Sequence, residues 1–254
     1  MKVVTGKLFK EMVLCGANTL HNNHPEIDAL NVFPVPDGDT GTNMSLTFSA
    51  GAKEIEGMDS NNIGEISKKL SKGLLMGARG NSGVILSQIF RGVSMALQGH
   101  EEADAVLWAQ ALESGAKVAY KAVMRPVEGT ILTVIRESSE AVVKYAKPGM
   151  EIEDVFSYFV KEAEASLERT PELLPVLKEV GVVDSGGAGL LLVFTGFLAG
   201  LAGETVDYVE IKSSDSAMNA VADIEGGEEG YGYCTEFIVR LEPSLVDKFK
   251  EEQL

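Results

Sequence analysis

Two aspartates one residue apart, Asp37 and Asp39, lie in the segment NVFPVPDGDTGTNM, Asn31 to Met44. Two prolines and two glycines in that span dictate an irregular, tightly turned loop. Carboxylates this close repel one another unless a cation sits between them. Hard oxygen donors of this kind suit Mg²⁺, which takes one or two carboxylates together with phosphate oxygens and water. Asn43 follows at an expected helix start, where backbone N–H groups favour an anion. The competing reading is an Asp-Gly turn with solvated acids. The flanking prolines, glycines and helix start weigh against it.

Two other metal loops fit poorly. An EF-hand needs an oxygen side chain, Gly and Glu at its fifth, sixth and twelfth positions. Counted from Asp37 those are Gly41, Thr42 and Phe48. A phosphatase of the haloacid dehalogenase type places its aspartates after a buried strand, and Pro34 and Pro36 make a poor strand of Phe33 to Pro36.

A second segment, MGARGNSG (Met76 to Gly83), opens directly into an apolar helical pattern. Gly80 and Gly83 free the backbone, and Asn81 and Ser82 offer donors at a helix start, which together make a phosphate cradle. It lacks the Gly-Lys-Ser/Thr of a Walker A loop and the second glycine of a nucleophile elbow. Close packing of two helices would also use these glycines, so both readings stay open. Arg79 either neutralises phosphate or is a solvated surface residue. Two more turns, RPVEGTILT around Thr130 and VDSGGAG around Asp184, each introduce a helix in the same way. Loops of this kind gathered at one end of a bundle would converge on one ligand. His21, His24 and His100 are too few for a zinc site.

The elements that must hold these loops are helical. Leu8, Met12, Cys15 and Thr19 form one stripe of a helix starting near Gly6. The same spacing predicts helices over Asn43 to Ile55, Ile63 to Leu75, Val84 to Leu97, Glu102 to Val123 and Thr130 to Tyr145. Ile152 to Leu167, a short Pro171 to Val180 and Ala188 to Leu201 complete the series. About eight helices with no convincing strand predict an all-α domain. Ser185 to Gly203 is uncharged and long enough to span a membrane, but it holds six glycines and reads as a buried helix. Beyond Gly203 the pattern changes. Residues 206–230 read as a linker, and the alternation in YGYCTEFIVRLE, Tyr231 to Glu242, reads as the first strand of an incomplete β-containing domain over residues 231–254.

Composition narrows the function classes. The 254 residues are 45% hydrophobic and 24% charged, a globular balance. With aromatics at 7%, the core is expected to rest mainly on Leu, Val, Ile, Ala and Met. Acidic residues outnumber basic ones 38 to 22, a net charge of -16 that repels nucleic acid and anionic lipid. An acidic chain that handles phosphates needs metal ions to bridge them. Cys15 and Cys234 are too few for a disulfide framework, and no apolar leader follows Met1-Lys2, so a cytoplasmic location is expected.

Taken together, NVFPVPDGDTGTNM, SKGLLMGARGNSGVILSQIFRG, KAVMRPVEGTILTV and LKEVGVVDSGGAGLL resemble the DhaL-type nucleotide-binding domain of dihydroxyacetone kinases. The resemblance is strongest to the form found at the N-terminus of the bacterial fatty acid kinase A subunit, and it covers residues 1–205. It implies an antiparallel barrel of eight helices with ATP or ADP at one end, the phosphates held through two Mg²⁺ ions. By that resemblance Asp37 and Asp39 are the catalytic, metal-bridging aspartates, and Asn31 stands nearest the position of a third. Thr42, Asn43, Gly80, Asn81, Ser82, Gly83, Thr130 and Asp184 match the nucleotide-binding positions. The activity implied is phosphoryl transfer to a fatty acid presented by a separate carrier protein, giving an acyl phosphate. A dihydroxyacetone kinase-type subunit and a nucleotide-sensing module without turnover are the alternatives. A homodimer of a longer protein is left open.

Overall fold

The computed structural model describes residues 2–211, and the expected strand at Tyr231 to Glu242, with Cys234, lies outside them. Ten helices and one two-stranded sheet make up the described chain. The helices are α1 (Gly6–Ala29), α2 (Thr40–Glu56), α3 (Ile63–Met76), α4 (Gly80–Leu97), α5 (Ala105–Ala122), α6 (Ile131–Tyr145), α7 (Ile152–Glu168), the short α8 (Thr170–Leu173) and α9 (Pro175–Val180), and α10 (Ser185–Leu201). Eight are long. Each packs on the next in sequence from α1 to α7, and α10 closes the ring between α7 and α1. Short connections make neighbours antiparallel, so the all-α expectation holds.

The sheet is the one departure. Strand β1 (Val3–Thr5) pairs antiparallel with β2 (Glu102–Asp104), Val4 opposite Ala103. Sequence reading placed Glu102 inside the fifth helix. Asp104 instead caps α5, its carboxylate accepting from the Leu107 N–H at 2.8 Å, so the helix starts at Ala105, three residues after the expected Glu102. The pair staples the N-terminus to the α4–α5 connection, and three residues per strand are too few to show a period of two.

The core rests mainly on Leu, Val, Ile, Ala and Met, as expected. Aromatics are scarce but concentrated: Trp108, Phe9, Phe48, Phe90, Phe156, Phe159, Phe194 and Phe197 are all fully buried. They interlock edge to face, with Phe9 on Trp108 at 5.4 Å and Phe159 on Phe194 at 4.7 Å between ring centroids. Leu, Ile and Val fill the space around them. Ser185 to Gly203 is largely α10 and is core, as its glycines suggested. Gly196 lies against Gly16 of α1, and a Cβ on Gly196 would come within 2.5 Å of the Gly16 Cα. Among the described residues no helix is long and apolar enough to cross a membrane.

Candidate functional site

Alternating direction around the ring places the starts of α2, α4, α6 and α10 at one end. The four glycine-containing loops therefore meet there, as contacts between them record. A Cβ on Gly80 would stand 2.5 Å from Asn43 Nδ2, one on Gly186 would stand 3.2 Å from the Ile131 Cβ, and one on Gly189 would stand 2.7 Å from Met44 Sδ. The Arg79 N–H donates to Thr47 Oγ1 of α2 at 3.1 Å, and the same hydroxyl donates to the Asn43 carbonyl at 2.7 Å. The glycines keep the backbones close, and the threonine joins the two loops.

The aspartate loop runs from the end of α1 to the start of α2, turning at Gly38 with φ of +65°. Asp37 is exposed and Asp39 half-buried. Burial raises the Asp39 carboxyl above its ordinary value, an Asn43 hydrogen bond opposes the shift, and the charges of Asp37 and Asp28 add to it. Three carboxylates share this corner of the molecule. Asn31, only 6% exposed, donates through Nδ2 to Asp37 Oδ1 at 2.6 Å, and its Oδ1 is buried with no hydrogen-bond partner among the described residues. An unsatisfied buried oxygen costs about 1–3 kcal/mol. An all-oxygen set of Asp37, Asp39 and the Asn31 amide fits a hard divalent cation, which would relieve both the repulsion and the orphaned oxygen. Among the described residues no three His, Cys, Asp or Glu side chains gather tightly enough for a metal site, so the amide matters to the donor set.

Asp28 is the residue that sequence reading missed. It lies in the last turn of α1 and accepts from the Thr42 N–H at 2.9 Å and the Thr42 hydroxyl at 2.7 Å. That corrects the picture of the α2 start. The helix begins at Thr40, three residues before the expected Asn43, and its first turn is already supplied with an anion from α1. The only signal in the sequence is an acid at a helix end, and the 14-residue reach to Thr42 is invisible locally.

The other expected residues fall as follows. Gly80, Asn81, Ser82 and Gly83 are not a loop before α4 but its first turn, beginning without a side-chain cap. A Cβ on Gly83 would collide with Thr47 Oγ1, which is why glycine stands there. Thr130 is the N-cap of α6, its Oγ1 accepting from Leu132 N–H at 3.4 Å. Asp184 is the N-cap of α10, its Oδ2 accepting from Gly187 N–H at 2.7 Å and its carboxylate also from the Ile131 N–H. At 5% exposed it forms part of the floor beneath the loops, and burial pushes its carboxyl up to about 6. Of the four helix starts here, α2, α6 and α10 are capped by carboxylate or hydroxyl oxygens. At the α4 start the N-cap residue, Arg79, makes no capping bond with its own side chain, and its N–H donates to the Thr47 hydroxyl.

With this geometry in view, similarities to other proteins can be placed on it. The family described as the DAK2 domain matches residues 34–199. Protein YloV of Bacillus subtilis is 52% identical over 255 residues, covering 95% of this chain and 45% of that protein. An uncharacterized protein of Staphylococcus saprophyticus is 52% identical over 242 residues, covering 93% of this chain and 44% of that protein. The chain thus spans less than half the length of these relatives. The crystal structure of the dihydroxyacetone kinase of C. freundii in its native form superposes with a TM-score of 0.56 at 24% identity, over 78% of this chain and 34% of that one. The same kinase in complex with AMP-PNP and Mg²⁺ gives 0.54 at 22% identity over the same shares. At that identity the likeness is one of fold. The family match covers well over half of the sequence and takes in the Asp37-Gly38-Asp39 turn and the starts of α2, α4, α6 and α10, and this chain belongs to the DAK2 domain family.

Proposed function

We propose that this chain is an ATP–Mg²⁺-dependent phosphoryl-transfer domain whose acceptor is a fatty acid presented by a carrier protein, with an acyl phosphate as product. The observation that carries the reading is the meeting, at one end of the ring, of the Asp37, Asp39 and Asn31 oxygens with the glycine-rich first turn of α4. Asp37, Asp39 and Asn31 Oδ1 would hold two Mg²⁺ ions, which when bound neutralise phosphate charge and orient the phosphoryl group. Asp28 fixes Thr42 and with it the first turn of α2. Asn43 bonds Asp39 and abuts Gly80, so it sets the spacing between the cation loop and the phosphate loop. Gly80 to Gly83 present the positive end of α4 to phosphate oxygens. Thr130 and Asp184 hold the starts of α6 and α10 as the floor under the nucleotide.

A carrier partner is supported by the rim of this end. Leu75, Met76, Val84, Met124 and Leu173 are all exposed around it, Met124 at 99%. Exposed apolar side chains grouped in this way suit a protein partner. A dihydroxyacetone kinase-type subunit is the second reading, favoured by the solved kinase structures of the same fold. We further propose that residues 1–205 form the kinase domain, followed by a linker over 206–230 and the start of a middle domain over 231–254. In this reading the whole protein is cytoplasmic and has dimer contacts in its later domains.

Calorimetric titration of ATP, with and without Mg²⁺, into this chain and its Asp39→Ala variant tests the site. Mg²⁺-dependent binding that the variant loses supports it. Equal binding by both, or none by either, overturns it. Supplying a carrier-bound fatty acid and dihydroxyacetone in parallel then separates the two acceptors, and nucleotide binding with transfer to neither favours a sensor.

A further inference from the structure

Arg79 lies where the phosphate and cation loops meet. Its backbone is fixed on both sides. The N–H donates to Thr47 Oγ1 at 3.1 Å and the carbonyl accepts from Gly83 N–H at 3.1 Å. Its side chain is exposed and forms no ion pair among the described residues. In a chain carrying 38 acidic residues against 22 basic ones, an unpaired guanidinium one residue from a glycine that touches Asn43 stands out. Nor is its charge spent on Asp39, whose charged neighbours are Asp37 and Asp28.

We propose that Arg79 is the residue that reads the terminal phosphate, so that the site distinguishes a nucleoside triphosphate from a diphosphate. The proposal rests on the nucleotide reading above. The backbone of Gly80 to Gly83 approaches phosphates from the α4 side, and the oxygen cluster of Asp37, Asp39 and Asn31 approaches through cations from the α2 side. Arg79 lies at the junction, with its side chain exposed to solvent. A phosphate held there meets a planar fork of donors that matches two of its oxygens, an arrangement a lysine or an amide does not reproduce. Arg125, the other exposed and unpaired arginine at this end, lies on the α5–α6 connection, and no hydrogen bond ties its loop to the aspartate loop.

The test is calorimetric binding of AMP-PNP and of ADP, each with Mg²⁺, to the unaltered chain, Arg79→Gln, Arg79→Lys and Arg125→Gln. Arg79→Gln is expected to weaken AMP-PNP by about ten-fold or more, equivalent to about 1.4 kcal/mol, with ADP affinity unchanged. Arg79→Lys recovers part of the loss, and Arg125→Gln leaves the ratio of the two affinities as it was. Unfolding midpoints without nucleotide stay level, because the side chain is solvent-exposed. Equal weakening of both nucleotides by Arg79→Gln, or no change in either, overturns the assignment and leaves nucleotide binding intact. Failure of the unaltered chain to bind either nucleotide sinks the nucleotide reading and Arg79 with it.

Discussion

The buried Asp184 makes this domain less stable as pH rises, the reverse of the usual behaviour of a hydrogen-bonded carboxylate. Removal from water lifts its carboxyl to about 6 from an ordinary 3.8, despite two opposing N–H bonds from Gly187 and Ile131. A difference of about two pH units, at about 1.4 kcal/mol each, amounts to roughly 3 kcal/mol. Below about pH 4 Asp184 is protonated in both states and its contribution to stability is fully present. Between about 4 and 6 the unfolded chain sheds the proton first, and stability falls as pH rises. Above about 6 the whole amount is lost. Glu128 and Glu137 act with the opposite sign, since their hydrogen bonds with Thr133, Ser166 and arginines hold them below their ordinary value. Their stabilisation fades only at lower pH, and His21 and Asp39 are shifted as well, so a variant altered at Asp184 alone is needed to isolate it. Asp184→Asn keeps an acceptor for Gly187 but cannot ionise. Urea unfolding of both proteins in a chelator, from pH 4.5 to 7.5, is expected to show the gap moving toward the variant by about 2–3 kcal/mol. Parallel curves would refute the claim that the floor of the site buries an ionising acid.

Other expectations follow from the same geometry. Because Asp39 titrates above its ordinary value, protons compete with cations, and Mg²⁺ should bind more weakly at pH 5.5 than at 7.5 in a thermal-shift titration. Gly196→Ala forces a Cβ onto the Gly16 backbone and should cost about 1–3 kcal/mol, whereas Gly57→Ala, with nothing within 4 Å, should stay within about 0.5 kcal/mol in urea unfolding. Asn22 donates to the Asp207 carbonyl at 2.9 Å and accepts from Val209 N–H at 3.0 Å, so Asn22→Ala should speed hydrogen exchange at Val209 while leaving that of the α10 core unchanged. Asn31→Leu removes the orphaned Oδ1, and should abolish any Mg²⁺-induced rise in unfolding temperature without unfolding the chain.

The candidate site was legible in fragments. Asp37 and Asp39 declare themselves because two charges flanking one glycine need a local remedy. Thr130 and Asp184 were visible as helix starts because capping acts within three residues. The first turn of α4 was misread as a loop, since Gly80 and Gly83 have low helix propensity and only Thr47 and Asn43 of α2, lying against them, explain why glycine is tolerated. Asp28 stayed hidden for the same reason: its partner Thr42 is 14 residues away across a turn.

The sequence by itself therefore determined the helices, most of their ends and the types of donor at each loop, all of which depend on neighbours within a few residues. Only the tertiary structure decided that α10 closes the ring on α1, that four helix starts share one end, and that Asn31 Oδ1 has no hydrogen bond and the Arg79 side chain no ion pair among the described residues. Those facts depend on which backbones can approach, at Gly16 against Gly196 and at Gly80 against Asn43. Close approach is a property of pairs of surfaces far apart in the chain, and no local pattern encodes it.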